Sequence, residues 1–418
     1  MFTTDTVVIG AGHAGLATSR LLAEAGHDHV VLDRGRVAER WRSERWDSLH
    51  LLTPNWMTRL PGWHYRGFDS EGYMAVQDFV AHLEGYAESF DAPVQTGTTV
   101  LEVRGVDGGY RVVTDQGTWS ARHVVVATGP WGRPRIPDGI DVSGSDLHLT
   151  TASRYRNPDG LPDGGVLVVG ASSSGVQIAD ELARAGRHVV LAVGGHTRMP
   201  RRYRGMDIFW WLERTGRLAR TIDEVSDAEA ARREPSMQLV GHNDPHRFTE
   251  DLDLAALAAR GVRVTGRLRE LTGGVATFQD NLATSVAEAE QRMHRFLDAV
   301  DAHVTASGLE SEVWAPLRPA SFVAGAAPAT VDLRSERIGT VLLATGYRPD
   351  HAWLRVPVTA PDGTIRQHRG VTRSPGLYVV GQRFQHRRDS GFIDGARHDA
   401  AAVVDHLTSR RSLDPTPR

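Results

Sequence analysis

Short apolar runs closed by glycine recur along this chain, and their lengths assign them before any chemistry is considered. Thr6-Val7-Val8-Ile9 leads into Gly10-Ala11-Gly12-His13-Ala14-Gly15, a stretch with helical spacing to Ala25-Gly26, and then His29-Val30-Val31-Leu32, closed by Asp33. The pattern predicts strand, tight turn, helix and strand. It occurs again: Val166-Leu167-Val168-Val169, Gly170-Ala171-Ser172-Ser173-Ser174-Gly175, a helical segment over residues 176–185 with Gly186, and His188-Val189-Val190-Leu191-Ala192-Val193. Two further runs, Val124-Val125-Val126 and Val341-Leu342-Leu343, read as buried strands, and each ends in Ala-Thr-Gly. Val286, Met293, Phe296, Leu297 and Val300 fall at helical spacing and predict an amphipathic helix. A last strand at Leu377-Tyr378-Val379-Val380, ending in Gly381, precedes a closing helix over about residues 394–407.

Strands alternating with helices, with a glycine turn at each first crossover, predict an α/β fold with two Rossmann-like dinucleotide-binding domains. Because the Ala-Thr-Gly strands bracket the second unit, that unit is expected as an insertion in a discontinuous first domain. The expected boundaries are 1–158 and 338–418 for the first domain and 159–337 for the second, with a helical insertion at about 280–307. Arg133-Pro134-Arg135-Ile136-Pro137 and residues 157–165 are the expected linkers.

Each residue of the first turn has a physical task. Gly10 permits the tight turn, Gly12 lets backbone approach a pyrophosphate, and Gly15 lets helix and strand pack closely, while the helix start offers free N–H groups to phosphate. His13, Ala14 and Arg34 flank these contacts, and Asp33 can accept hydrogen bonds from a ribose diol. In the second turn Ser172 replaces the central glycine, with Ser173 and Ser174 beside it, between Gly170 and Gly175. Asp33 stands 23 positions beyond Gly10, and the position 23 beyond Gly170 is Val193, which is no acid. Arginines follow at Arg198, Arg201, Arg202 and Arg204, so a 2′-phosphate is the expected partner there, with Arg198 and Arg202 as its candidates.

Composition narrows the chemistry. The chain has 418 residues, 40% of them hydrophobic, with 43 Gly, 20 Pro and a formal net charge of −3, which describes a globular protein of two or three domains. This balance gives no electrostatic reason to expect nucleic acid or an anionic membrane. The absence of cysteine removes disulfides, thiolate nucleophiles and every redox path through a CxxC pair. There is no lysine, which removes Schiff-base chemistry and a P-loop lysine. No secretory signal or membrane-length apolar run is visible, so a cytoplasmic protein, monomer or homodimer, is expected. The histidines, including His188, His196 and His386, lack recognised ligand spacing, and no metal is expected.

Two dinucleotide units, the first with an acid and the second with arginines, joined by paired Ala-Thr-Gly strands, resemble the two-dinucleotide-binding-domain flavoproteins, and among them the class B flavin-dependent monooxygenases of the flavin-containing monooxygenase and YUCCA-like type. Trp46-Asp47-Ser48-Leu49 resembles the family's stretch under the flavin, and Trp41 precedes it. The resemblance implies FAD in the first unit and NADPH in the second. It also implies that Thr128, Gly129, Thr345, Gly346, Gly381, Gln382 and Phe392 lie around the cofactors. The chain departs from the family where Gln382 follows Gly381 in place of aspartate. The family's aromatic-Gly-His signature is half matched, by Gly144 and His148 with Val142 leading and Tyr155 as the nearest closing aromatic.

By resemblance, NADPH reduces FAD, and dioxygen forms a flavin C4a-hydroperoxide that oxygenates a small, largely apolar metabolite by N- or S-oxygenation, Baeyer–Villiger insertion or oxidative decarboxylation. Cofactors carry such chemistry, so the sequence need show no triad or carboxylate pair. Asn55 and Arg348 are the candidate side chains beside the flavin, where either would stabilise developing negative charge. Ile208-Phe209-Trp210-Trp211-Leu212 reads either as core or as the wall of an apolar pocket. Flavin disulfide reductases share the architecture but need the missing cysteines. A reductase passing electrons to a protein or small acceptor, and a non-enzymatic nucleotide-binding regulator, are the alternatives.

Overall fold

The structure is a computed structural model describing residues 1–243 and 250–409, so the stretch up to 418 that the first domain was expected to include runs past the described residues. The chain opens with β1 (Phe2–Ile9), α1 (His13–Glu24) and β2 (His29–Leu32). There follow α2 (Val76–Glu88), β3 (Val94–Gln95), the hairpin β4 (Val100–Val106) and β5 (Gly109–Thr114), and β6 (Gly117–Val126). β7 (His148–Thr151), β8 (Gly165–Val169), α3 (Ser173–Arg184), β9 (Val189–Ala192), the short α4 (Ile208–Arg214), β10 (Arg263–Thr265), α5 (Leu282–Ala306) and β11 (Ile338–Leu343) make up the second unit. β12 (Leu377–Val379) and α6 (Ala396–Ser409) close the fold.

The first sheet runs β12-β6-β1-β2-β3 through its centre, all parallel, with the β4–β5 hairpin joined to β6. The second runs β7-β11-β8-β9-β10, also parallel throughout. Strands covered on both faces read as continuous apolar runs: Val8 packs with α1 and α6 and Val7 with the β4–β5 hairpin, while Val166 and Val168 pack with α3 and Leu167 with Leu271, Ala276 and Phe278, so all five are fully buried.

The sheets redraw the expected domain limits. β7 lies before the boundary expected at 158 and β11 lies after that expected at 337, yet both pair into the second sheet. Each strand ending in Ala-Thr-Gly therefore belongs to the unit whose glycine turn it flanks, and the two do not bridge one domain. The registers match: Ile9 pairs with Val126 in the first sheet and Val169 with Leu343 in the second, which sets Gly10 beside Ala127 and Gly170 beside Ala344. The expected amphipathic helix is α5, whose buried face includes Val286, Met293, Phe296, Leu297 and Val300.

Candidate functional site

The two glycine turns are built alike. Gly10 has φ +112° and Gly170 φ +107°, a region L side chains rarely adopt, and a Cβ on either would lie 2.7 Å from Ala127 O or 2.6 Å from Ala344 O respectively. A Cβ on Gly15 or Gly175 would fall 1.8 Å from the carbonyl oxygen of Gly10 or Gly170. These four glycines are therefore demanded by the protein's own packing. Gly12 is different: a Cβ there meets nothing within 4 Å, and its φ of −83° suits any residue. Its smallness leaves room for something other than protein, as the approach of a pyrophosphate to the start of α1 requires. Ser172 occupies the matching place at the start of α3.

Asp33 closes over the first turn. Its Oδ2 accepts from Ala11 N–H at 2.7 Å and its Oδ1 from Gly35 N–H at 2.9 Å, which fixes the carboxylate at the end of β2. Arg34 points outward to Glu44, 3.1 Å away. His13 is held in the turn with Nε2 buried and unpartnered, and burial pulls its pKa down to about 4, so the imidazole is neutral. An open middle position, a fixed acid and an orphaned buried nitrogen fit a dinucleotide in the first turn. Ala14 meets the end of the last strand, since a Cβ on Gly381 (φ +73°) would lie 2.8 Å from Ala14 Cβ.

The Ala-Thr-Gly turns converge with that strand end. Gln382 Nε2 donates to Gly129 O at 3.3 Å, just past Thr128, and Thr345 Oγ1 donates to Arg135 O, whose N–H returns to Gly346 O at 2.8 Å. Trp131 and Tyr347, one following each turn, pack with centroids 5.6 Å apart. The Arg383 guanidinium lies 5.7 Å from the Trp131 centroid, donates to Glu234 O, and is pulled below arginine's ordinary pKa by burial. Sequence reasoning did not single out Arg383, although it stands directly after Gly381-Gln382. Arg348 instead is exposed, on a short ladder against Arg133.

Trp46 and Leu49 are buried, but against core residues of the second unit, so they hold the two domains together. Ser48 Oγ and Tyr155 O–H both donate to Glu181 on α3, each at 2.7 Å. Trp41 packs edge-on against Phe79 at 4.8 Å and under Arg45. Asn55 donates through Nδ2 to Asp69 O at 2.8 Å, leaves Oδ1 buried without a partner, and lines a cavity of about 510 Å³ with Tyr65, Arg66, Tyr73 and His82. Phe392 packs edge-on to Phe209 on α4 at 5.9 Å, and Leu52, Trp56 and Trp210 pack half-buried against the same core cluster.

The arginines expected at a 2′-phosphate are mostly committed elsewhere. Arg198 is buried, with Nη2 on Asp253 at 2.8 Å and Nη1 3.5 Å from Glu290. Arg201 is buried on Asp207 at 2.6 Å, and Arg204 donates to Asp301 at 2.7 Å. Only Arg202 of this group is exposed.

An uncharacterized CzcO-like oxidoreductase of Geobacillus kaustophilus (strain HTA426) is 30% identical to this chain over 406 residues, 96% of this chain and 98% of the relative. The indole-3-pyruvate monooxygenase YUCCA6 of Arabidopsis thaliana is 32% identical over 217 residues, covering 49% and 52% of the two chains. The chain belongs with the CzcO-like oxidoreductases, and its likeness to the YUCCA monooxygenases covers about half its length. The flavin-containing monooxygenase of Stenotrophomonas maltophilia has the same fold, with a TM-score of 0.67 at 20% identity over 98% of this chain and 99% of that one. Residues 7–213 also match the family model for pyridine nucleotide-disulphide oxidoreductases, although this chain has no cysteine for disulfide exchange. It is an oxidoreductase, and OTEMO, whose structure holds FAD and NADP, has the same fold, with a TM-score of 0.57 at 16% identity over 98% of this chain and 86% of that one. Among the described residues no helix is long and apolar enough to cross a membrane.

Proposed function

We propose that this enzyme consumes NADPH and dioxygen to oxygenate a small, largely apolar metabolite, with FAD held at the first glycine turn and NADPH at the second. The observation that carries this reading is the duplicated turn, in which packing explains the outer glycines and leaves the Gly12 position open. When bound, FAD accepts a hydride and activates oxygen; the protein supplies position, electrostatics and exclusion of water. Gly12 and the first N–H groups of α1 receive the pyrophosphate, and Asp33 receives the ribose. Neutral His13 adds no charge beside the phosphates. Gly381, Gln382 and the paired Ala-Thr-Gly turns bracket the ring system. Arg383, half-buried beside Trp131 and directly after Gly381-Gln382, would stabilise negative charge developing there, a role the exposed Arg348 serves poorly. The half-buried apolar side chains of Leu52, Trp56, Trp210 and Phe392 favour an apolar substrate, and the cavity at Asn55 would receive a polar group.

The test supplies NADPH and isotopically heavy dioxygen to the yellow holoprotein with a panel of apolar amines, sulfides and ketones. Heavy oxygen in the product, in proportion to NADPH consumed, is the expected result. NADPH consumption that ends wholly in hydrogen peroxide, or that proceeds only with an added electron acceptor, would replace this reading with that of a reductase.

A further inference from the structure

The second turn lacks the acid that β2 carries, so the chain must recognise the far end of its nucleotide by other means. In a βαβ dinucleotide unit the adenine ribose lies beyond the end of the second strand, here β9. That end is Val193-Gly194-Gly195, and the next strand over, β10, finishes level with it, because Ala192 pairs with Thr265 and Val193 N–H donates to Thr265 O at 3.1 Å. Two residues past β10 comes Arg267. Its backbone is pinned on both sides: Arg267 N–H donates to Asn281 Oδ1 at 3.0 Å, and Arg267 O accepts from Gln279 N–H at 2.8 Å.

Gly266 fixes the chain's direction there, since a Cβ on it would lie 1.9 Å from Gln279 O. The side chain is thereby laid back over the two glycines. A Cβ on Gly194 would sit 3.4 Å from Arg267 Nε and 3.5 Å from Nη2, and one on Gly195 would sit 3.7 Å from Nη2. Arg267 is exposed, and no carboxylate pairs with it among the described residues. Arg198, Arg201 and Arg204, by contrast, are all spent on carboxylates.

We propose that Arg267 is the residue that selects a 2′-phosphorylated nucleotide, its guanidinium receiving the phosphate above the Gly194-Gly195 turn. Because both turn residues are glycine, a phosphate can approach the guanidinium without meeting a side chain, and a planar fork suits bidentate phosphate binding. The inference rests on the reading that the second turn holds NADPH, and it moves the selecting charge from Arg198 and Arg202 to a residue 97 positions beyond Gly170.

Calorimetric titration of the FAD-loaded protein with NADP⁺, NAD⁺ and adenosine 2′,5′-bisphosphate tests it without turnover. Arg267→Ala is expected to weaken NADP⁺ and the bisphosphate by about 10- to 100-fold, the loss of a charge-assisted contact, while NAD⁺ affinity and the melting temperature stay unchanged. Arg267→Glu is expected to reverse the preference towards NAD⁺, Arg267→Lys to restore part of it, and Arg269→Ala to leave it alone. NADP⁺ affinity that survives Arg267→Ala, or that is lost instead in Arg202→Ala, overturns the assignment of Arg267 while leaving the second turn as the nucleotide site. Wild-type protein that binds neither NADP⁺ nor NAD⁺ overturns the reading of the second turn and this inference with it.

Discussion

Arg198 donates from Nη2 to Asp253 Oδ2 at 2.8 Å, with both side chains almost wholly buried. The same carboxylate caps a helix, its Oδ1 accepting from Ala256 N–H at 2.8 Å, and Arg198 also donates to Ala320 O. Arg198 thus ties three segments of the second domain together. Removing it strands a buried carboxylate, so Arg198→Met is expected to cost about 3–5 kcal/mol of stability. The drop should appear in thermal denaturation, while the NADP⁺ to NAD⁺ affinity ratio of the surviving folded protein stays as in wild type. A changed ratio with an unchanged melting temperature would return Arg198 to the phosphate site.

The glycines of the first turn divide by what they face. Gly12→Ala adds a methyl group to open space in an ordinary conformation, so its effect on the stability of the flavin-free protein should stay within about 0.5 kcal/mol. Flavin content after purification should fall, because the methyl group occupies the pyrophosphate's approach. Gly15→Ala places its methyl group 1.8 Å from Gly10 O and should prevent folding or lower the melting temperature sharply. Full flavin retention in Gly12→Ala would show that the open position is not where the cofactor lies.

The turns were legible because the signal is local: strand, glycines, helix and acid all fall within residues 6–33, and backbone conformation plus close packing leave few substitutes for Gly10 and Gly15. The ownership of the Ala-Thr-Gly strands was not, since β11 and β8 are adjacent in space but more than a hundred residues apart in sequence, and both readings give the same apolar run. Arginine roles were hidden for the same reason. The partners of Arg198 lie at Asp253, Glu290 and Ala320, and nothing within a few positions of Arg198 betrays them. Arg383 was missed because its neighbours, Trp131 and Glu234, are equally remote.

Asp399 sits in the first turn of α6, 1% exposed, and burial pushes its pKa up to about 7, against the lowering effect of the Ser390 hydroxyl. An unfolded chain would give it a value near 3.9. The folded pKa is the higher, so folding favours the protonated acid, and this group opposes folding increasingly as pH rises from about 4 through 7. Asp399→Asn should therefore match wild type near pH 4 and exceed it in stability above pH 7, by up to about 4 kcal/mol. Melting temperatures of the two proteins across that range give the answer; parallel curves would mean that Asp399 ionises freely in the fold.

Glu181 receives Ser48 from the first domain on one oxygen and Tyr155 on the other, and the Tyr155 hydroxyl is held well above its usual pKa by burial and by that carboxylate. Ser48 belongs to the same segment as Trp46 and Leu49, so the carboxylate couples the docking of that segment to α3, the helix that opens at the second glycine turn. Glu181→Ala leaves a buried hydroxyl without its acceptor, which should cost about 1–3 kcal/mol. Tyr155→Phe removes donor and demand together and should cost less. If the two contacts act as one unit, the effects of Tyr155→Phe and Glu181→Ala will fall short of additivity by about 0.5 kcal/mol or more in a double-mutant cycle read by thermal denaturation. Additive losses would mean that Glu181 serves the interface through Ser48 alone, and hydride transfer from NADPH to the flavin, followed by stopped-flow absorbance, would then slow in Ser48→Ala but not in Tyr155→Phe.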